Sequence, residues 1–172
     1  MGSSTDRQQL VLRSLGLGFA GGLRSWPPMA ALILTRHRAP ADAGWPRWPV
    51  LRNRWTQRAL VTLGALEPIA DKWPRTIPRI RLKPQPSHID GGLIGRTAVD
   101  ALAGAALGSE YRFKNSVALG AAVAAAAAVA GNYLGYYARE AVKKATGLPD
   151  PTVGMIEDEI SIGLLVAAVG TR

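Results

Sequence analysis

Residues 148–159 read LPDPTVGMIEDE and lead into the apolar run ISIGLLVAAVG at 160–170. The stretch begins like a helix, because Asp150 is a favourable N-cap and Pro151 suits the first helical position. Three consecutive carboxylates, at residues 157–159, then fall in the first half of an apolar helix. In a membrane-embedded chain such carboxylates are costly and normally face a partner, an ion or water.

The overall composition supports the prediction that the chain is embedded in a membrane. The chain has 172 residues, no cysteine, 48% apolar residues and a net charge of +9. The missing cysteine excludes disulfides and thiolate metal sites. A strongly basic chain can bind nucleic acid, but the 21 Lys and Arg lie mostly in or beside the segments between apolar runs. That distribution is typical of membrane proteins, so the predicted partner is a lipid bilayer and not a nucleic acid.

Five apolar segments predict an all-α, polytopic membrane helix bundle that occupies residues 1–172 as one integral membrane domain. The approximate limits of the segments are 10–35, 59–73, 89–108, 115–138 and 151–170. The fourth is the clearest, because it has no charge before Arg139 and is rich in Ala and Gly, which favour close helix packing. Three loop tryptophans predict anchoring at the headgroup level, and these are Trp45, Trp48 and Trp55.

The first segment is interrupted at residues 21–28, which read GGLRSWPP. Glycine and proline in this arrangement predict a broken helix. Within a membrane, a break is tolerated only where the freed backbone groups are buried in protein or line a cavity. Arg24 is therefore a candidate site residue. It either holds an anionic group in its guanidinium fork or pairs with Glu157 or Asp158 to join the first and last helices.

The topology depends on residues 59–73. If all five segments span the membrane, the loop Lys and Arg divide almost evenly between the two sides. Neither orientation is then favoured, and an antiparallel dimer of dual topology is conceivable. If residues 59–73 instead re-enter on the same side, most basic residues fall on one side, as the positive-inside rule favours.

Two acidic clusters are candidate binding sites. Glu67 and Asp71 share a helix face if the helix continues between them, and with Lys72 they would bind a cation or exchange protons. Alternatively, Asp71 and Lys72 end a helix at the interface. Glu157 and Asp158 would hold a hard cation such as Mg²⁺, carry protons or neutralise a basic residue.

Arg96 and Asp100 lie one helical turn apart on the third segment. Their spacing predicts a structural ion pair that lowers the cost of burying both charges. The sequence offers no Ser-His-Asp constellation and no His metal cluster. Catalysis of those kinds is therefore not expected.

The chain resembles an uncharacterised domain-of-unknown-function family of small multi-pass bacterial membrane proteins. The resemblance is carried by GLR at 22–24 with Pro28, Glu67 with DK at 71–72 and Pro74, and GLPD at 147–150 followed by Val153 and ED at 157–158. It implies a multi-pass protein of the inner cell membrane and brings no established activity.

A weaker resemblance is to the phosphatidylglycerophosphatase A family. It is carried by residues 18–23, 71–74 and 154–159. It implies a Mg²⁺-dependent membrane lipid phosphatase. Asp71, Glu157 and Asp158 would then hold the metal, and Arg24 or Lys72 would hold the phosphate.

The leading functional prediction is a transporter- or channel-like protein that handles an ion, a proton or a small anionic solute. The residues expected to converge on its polar intramembrane site are Arg24, Glu67, Asp71, Lys72, Glu157 and Asp158. The alternatives are the Mg²⁺-dependent phosphatase and a non-catalytic subunit of a larger membrane complex. The glycine-rich helix faces predict a homo-oligomer or such a complex.

Overall fold

The computed structural model describes residues 4–24, 26–70 and 91–170, and all regular secondary structure within them is helical. The helices are α1 (Ser4–Leu23), α2 (Pro27–Leu34), α3 (Pro49–Arg52), α4 (Arg54–Ala70), α5 (Gly91–Gly108), α6 (Ser116–Thr146) and α7 (Asp150–Gly170). Two 3-10 turns lie at Arg36–Arg38 and Trp45–Arg47. The prediction of an all-α fold is confirmed for these residues.

The predicted break in the first segment lies between α1 and α2. Gly21 and Gly22 remain helical, and the N–H of Arg24 still donates to the Ala20 carbonyl at 2.8 Å. Pro27 and Pro28 occupy the first turn of α2, where a missing N–H has no intrahelical partner to lose. The prolines therefore start a second helix at the end of the break.

The chain reverses at this break. α1 runs from Arg13 toward Arg24, and Thr35, which follows α2, lines the same cavity as Arg13. We call the level of Arg13 and Thr35 the lower end of the bundle, and the level of Arg24 and Trp26 the upper end. The first predicted segment is thus a helical hairpin, where the sequence analysis expected one broken helix.

The longer helices continue this alternation. α4 ascends, and its Glu67 accepts the N–H of Trp26 at the upper end at 2.8 Å. α5 descends, and Glu110 just beyond it pairs with Arg13 at 3.0 Å. α6 ascends again, and α7 descends until the Ala168 carbonyl accepts a hydrogen bond from Arg13 at 2.7 Å. The two described chain ends therefore lie toward the lower end.

α1 is the central helix and packs against α5, α6 and α7, while α2 packs on α4. Glycine permits the closest of these contacts. A Cβ atom at Gly18 would lie 2.6 Å from the Ala124 Cα, and one at Gly22 would lie 2.7 Å from the Asn132 nitrogen. α1 and α6 therefore meet backbone to backbone, as the small-residue pattern predicted.

Apolar side chains lie both in the interior and on the outer surface of the bundle. Many large apolar side chains are exposed along α1, α4, α5, α6 and α7, and among them are Leu12, Leu15, Leu63, Leu66, Ile94, Leu102, Val117, Leu134, Ile160 and Val166. The interior is mainly apolar, and it also holds five charged side chains, those of Arg13, Arg24, Asp100, Glu110 and Glu157. A surface of this kind is typical of proteins that contact lipid or a partner.

In the described part of the chain, one helix is long and apolar enough to cross a membrane, judged by length and composition. That helix is α6, with 31 residues, and only 33% of its most apolar window is buried inside the bundle. By these criteria, a bundle of five membrane-spanning helices is not confirmed. The other long helices fall short for visible reasons. α4 has only 17 residues, and α1, α5 and α7 carry charged side chains along their length.

Candidate functional site

Three of the predicted site residues meet at the upper end, beside the break. The Arg24 Nε donates to the Asp158 Oδ1 at 2.6 Å, and its Nη1 lies 3.6 Å from the Glu157 Oε2. The Arg24 side chain is only 2% exposed. Of the two roles considered for Arg24, the structure shows the pairing that joins α1 to α7.

The ion pairs continue outward from this point. Arg139 on α6 lies 3.4 Å from the Glu157 Oε2 and 2.6 Å from the Asp150 Oδ2, and the Lys143 Nζ lies 3.1 Å from the Asp150 Oδ1. Side-chain exposure rises from 2% at Arg24 to 49% at Asp150. A continuous chain of charges therefore connects the buried break with the protein surface.

Asp150 does not act as the predicted N-cap. It is the first residue of α7 and not the residue before it, and no backbone N–H of the described chain donates to its carboxylate. The carboxylate instead accepts hydrogen bonds from Arg139. These bonds, with further help from Lys143, hold the pKa of Asp150 below its usual value.

The lowered pKa of Asp150 predicts an acid-dependent loss of stability. The unfolded carboxyl takes up its proton at a higher pH than the folded one, so the contribution is complete well above the ordinary pKa of Asp and is lost as the pH falls through the lowered pKa. We expect the melting temperatures of wild type and Asp150→Asn in detergent to differ at neutral pH, and the difference to shrink as the pH is lowered through the acidic range. A difference that does not change with acidification would contradict this assignment.

Glu67 also reaches the break. Its Oε2 accepts the N–H of Trp26, the N-cap of α2, which would otherwise be an unsatisfied donor at a helix start. Glu67 therefore holds α4 against the hairpin tip. The other members of its predicted cluster, Asp71 and Lys72, lie outside the described residues.

Asp100 occupies an unusual position on α5. It is 0% exposed, and neither of its carboxylate oxygens has a hydrogen-bond partner among the described residues. The carboxylate lies against Gly21 of α1, where a Cβ atom would come within 2.6 Å of the Asp100 Oδ2. The Gly21 position thus provides the space that the carboxylate fills.

The predicted Arg96–Asp100 ion pair is not formed in the described structure. The Arg96 Nη1 and both oxygens of Asp100 are without hydrogen-bond partners. The spacing on α5 predicts the pair, but the Asp100 carboxylate is turned toward Gly21 on α1. Asn132 on α6 is similarly buried, and both polar atoms of its amide lack partners in the described chain. Buried polar atoms of this kind normally bind water or a ligand.

The acidic residues that the structure describes do not form a metal site. Within residues 4–24, 26–70 and 91–170, no three Asp, Glu or His side chains are grouped so that they could share a metal ion. Glu157 and Asp158, the predicted Mg²⁺ ligands, are engaged by Arg24 and Arg139. A cation at this pair would have to compete with two guanidinium groups.

A second buried polar cluster lies at the lower end, and the sequence analysis did not identify it. The Arg13 Nη1 donates to the Glu110 Oε2 at 3.0 Å and to the Tyr111 hydroxyl at 3.1 Å. The Trp45 indole N–H donates to the other Glu110 oxygen at 3.2 Å. Trp45 is only 2% exposed, so its predicted role as a headgroup anchor is wrong.

The sequence does contain a signal for Arg13. It lies three residues after Leu10 and four before Leu17, and both leucines are completely buried. A charge at this spacing falls on the apolar stripe of the helix. The spacing therefore marks Arg13 as an interior residue.

No family model, curated protein or solved structure matches this chain.

Proposed function

We propose that the chain is a multi-pass integral membrane protein that carries protons through its bundle, with Asp100 as the proton-binding group. The observation that carries this proposal is a carboxylate buried between α1 and α5 with no hydrogen-bond partner in the described structure. It makes the predicted transporter-like role more specific, because it favours the proton among the solutes considered.

The membrane location is supported by the exterior and the helix contacts together. The exposed surfaces of α1, α4, α5, α6 and α7 carry large apolar side chains, and α6 qualifies as a span. Glycines bring α1, α5 and α6 into backbone contact. Such contacts are typical of membrane bundles, where the hydrophobic effect does not drive helices together and close packing of small residues does. The alternating helix directions would place the loop at residues 36–53 and that at 147–149 on opposite sides of the bilayer.

The chemistry of Asp100 favours a proton. An ionised carboxylate without a partner is costly at membrane depth, so this group is expected to hold a proton that it can release when a path to water opens. Two charged groups act on it electrostatically, Glu67 from α4 and Arg96 from its own helix. Glu67 lies at the hairpin tip and is a suitable next acceptor.

In this proposal protons reach Asp100 from the upper end of the bundle. They would enter beside the charged chain that runs from Asp150 through Arg139 and Glu157 to the buried Arg24. Asn132 lies beside Gly22, one residue from the glycine that contacts Asp100. Water bound to its unpartnered amide would extend the hydrogen-bonded path toward the carboxylate.

Proton flux into liposomes tests the proposal. Purified protein is reconstituted with an internal pH-sensitive dye, and flux is driven by a potassium diffusion potential. We expect wild type to acidify the lumen and Asp100→Asn to lose the flux by about tenfold or more, because an amide cannot exchange a proton in this range. Asp42→Asn is the matched control, since Asp42 is an exposed carboxylate paired with Arg112.

The outcomes are distinct. Flux that survives in Asp100→Asn, or wild-type liposomes no leakier than protein-free ones, would overturn the proposal. Gly21→Ala offers a second check, because its added Cβ enters the space of the Asp100 carboxylate and should also lower the flux. Absence of flux in wild type would favour the alternative that the protein is a non-catalytic subunit of a larger membrane complex.

A further inference from the structure

A cavity of about 290 Å³ lies at the lower end of the bundle, away from Asp100. It is enclosed by the end of α2, the two 3-10 turns and the end of α7. The residues that line it are Arg13, Leu32, Thr35, Arg38, Ala39, Trp45, Glu110, Val169 and Gly170. It therefore combines two arginines with one carboxylate and an apolar rim.

Arg13 is a fixed, buried cation in the wall of this cavity. Its side chain is 6% exposed, its Nε donates to the Ala168 carbonyl at 2.7 Å, and its Nη1 donates to Glu110 and Tyr111. None of the hydrogen bonds in the described structure uses its Nη2. One donor nitrogen of a preoriented guanidinium is thus left for a ligand.

The charge balance of the cavity favours an anion. Each oxygen of Glu110 already accepts a hydrogen bond, one from Arg13 and one from Trp45. Arg38 adds a second positive charge from the exposed side of the cavity. The lining therefore carries one positive charge in excess. Its hydrogen-bond donors are the buried Arg13 and the exposed Arg38.

We infer that this cavity binds a phosphate group. Phosphate oxygens match the guanidinium fork and accept several charge-assisted hydrogen bonds at once. The source is either the phosphodiester of a phospholipid headgroup, whose glycerol side would lie along Leu32 and Val169, or free inorganic phosphate. The cavity is separate from Asp100, so phosphate binding can be tested independently of the proposed proton transport.

Calorimetric titration of detergent-purified protein tests this inference with two probes, inorganic phosphate and a short-chain phosphatidylglycerol below its micelle concentration. We expect wild type to bind at least one probe. Arg38→Gln should raise the dissociation constant about fivefold, the effect of losing one partly exposed charge-assisted contact. Arg36→Gln is the control, because Arg36 is in the same 3-10 turn but does not line the cavity.

Each result supports or overturns the inference. Preferential binding of the lipid would identify the ligand as a headgroup phosphodiester. Comparable binding of both probes would show that the site recognises the phosphate group whether or not it belongs to a lipid. Arg13→Lys, which keeps the charge but loses the fork, should weaken binding in either case. Absence of binding to both probes, or equal weakening by Arg36→Gln and Arg38→Gln, would show that no such site exists.

Discussion

Replacing Arg24 by methionine should destabilise the protein by about 3–5 kcal/mol, because the substitution removes the guanidinium from a buried ion pair and keeps the carboxylates. The Arg24 side chain is 2% exposed, and those of Asp158 and Glu157 are 12% and 9% exposed. Glu157 keeps its contact with Arg139, so the main loss is at Asp158. In a chain of this size the loss corresponds to a fall in melting temperature of about 10 °C, measurable by intrinsic tryptophan fluorescence in detergent.

Two further variants isolate the cause of that loss. Arg24→Met combined with Asp158→Asn also removes the carboxylate charge that Arg24 neutralised, and it should recover part of the stability. Arg112→Gln breaks an exposed pair with Asp42, where the arginine side chain is 82% exposed, and should cost no more than about 1 kcal/mol. Equal melting temperatures for Arg24→Met and Arg112→Gln would show that the buried pair does not stabilise the junction of α1 and α7.

Replacing Gly22 by alanine should cost about 3 kcal/mol, although it adds a single methyl group. The new Cβ would lie 2.7 Å from the Asn132 nitrogen and 2.9 Å from the Gly131 carbonyl carbon. These are backbone atoms of α6, so relief requires α1 and α6 to move apart. The measurement is again thermal unfolding in detergent.

Gly163→Ala is the matched control for this effect. A Cβ at Gly163 meets no atom within 4 Å, so the substitution adds helix propensity without a clash. It should stabilise α7 by up to about 1 kcal/mol. The same chemical change is therefore expected to have opposite signs at the two positions. A loss of similar size in both variants would exclude close packing of α1 on α6 as the cause.

Much of the site at the upper end could be predicted from the sequence, because its features follow from local sequence patterns. Gly-Gly and Pro-Pro around Arg24 predicted the break, and charges in apolar runs need partners. The meeting of Arg24 with Glu157 and Asp158 follows from that requirement. The all-α fold follows from the same apolar segments.

Other features depend on tertiary contacts that no local pattern contains. The sequence of residues 21–28 predicts a break but not a reversal, which depends on α2 packing against α4. Asp100 was assigned to Arg96 by spacing, although Gly21 on another helix leaves the space that its carboxylate fills. Arg13 is an exception, because its spacing from Leu10 and Leu17 is a local pattern that marks it as interior.

The most direct test of the account is the protonation state of Asp100 in a bilayer. Infrared difference spectra of wild type and Asp100→Asn in lipid, recorded in H₂O and in D₂O, report the carbonyl stretch of a protonated carboxyl. The account predicts a band at neutral pH that shifts on deuterium exchange and disappears in Asp100→Asn. Identical spectra for the two proteins in this region would contradict the proposal that Asp100 carries the proton.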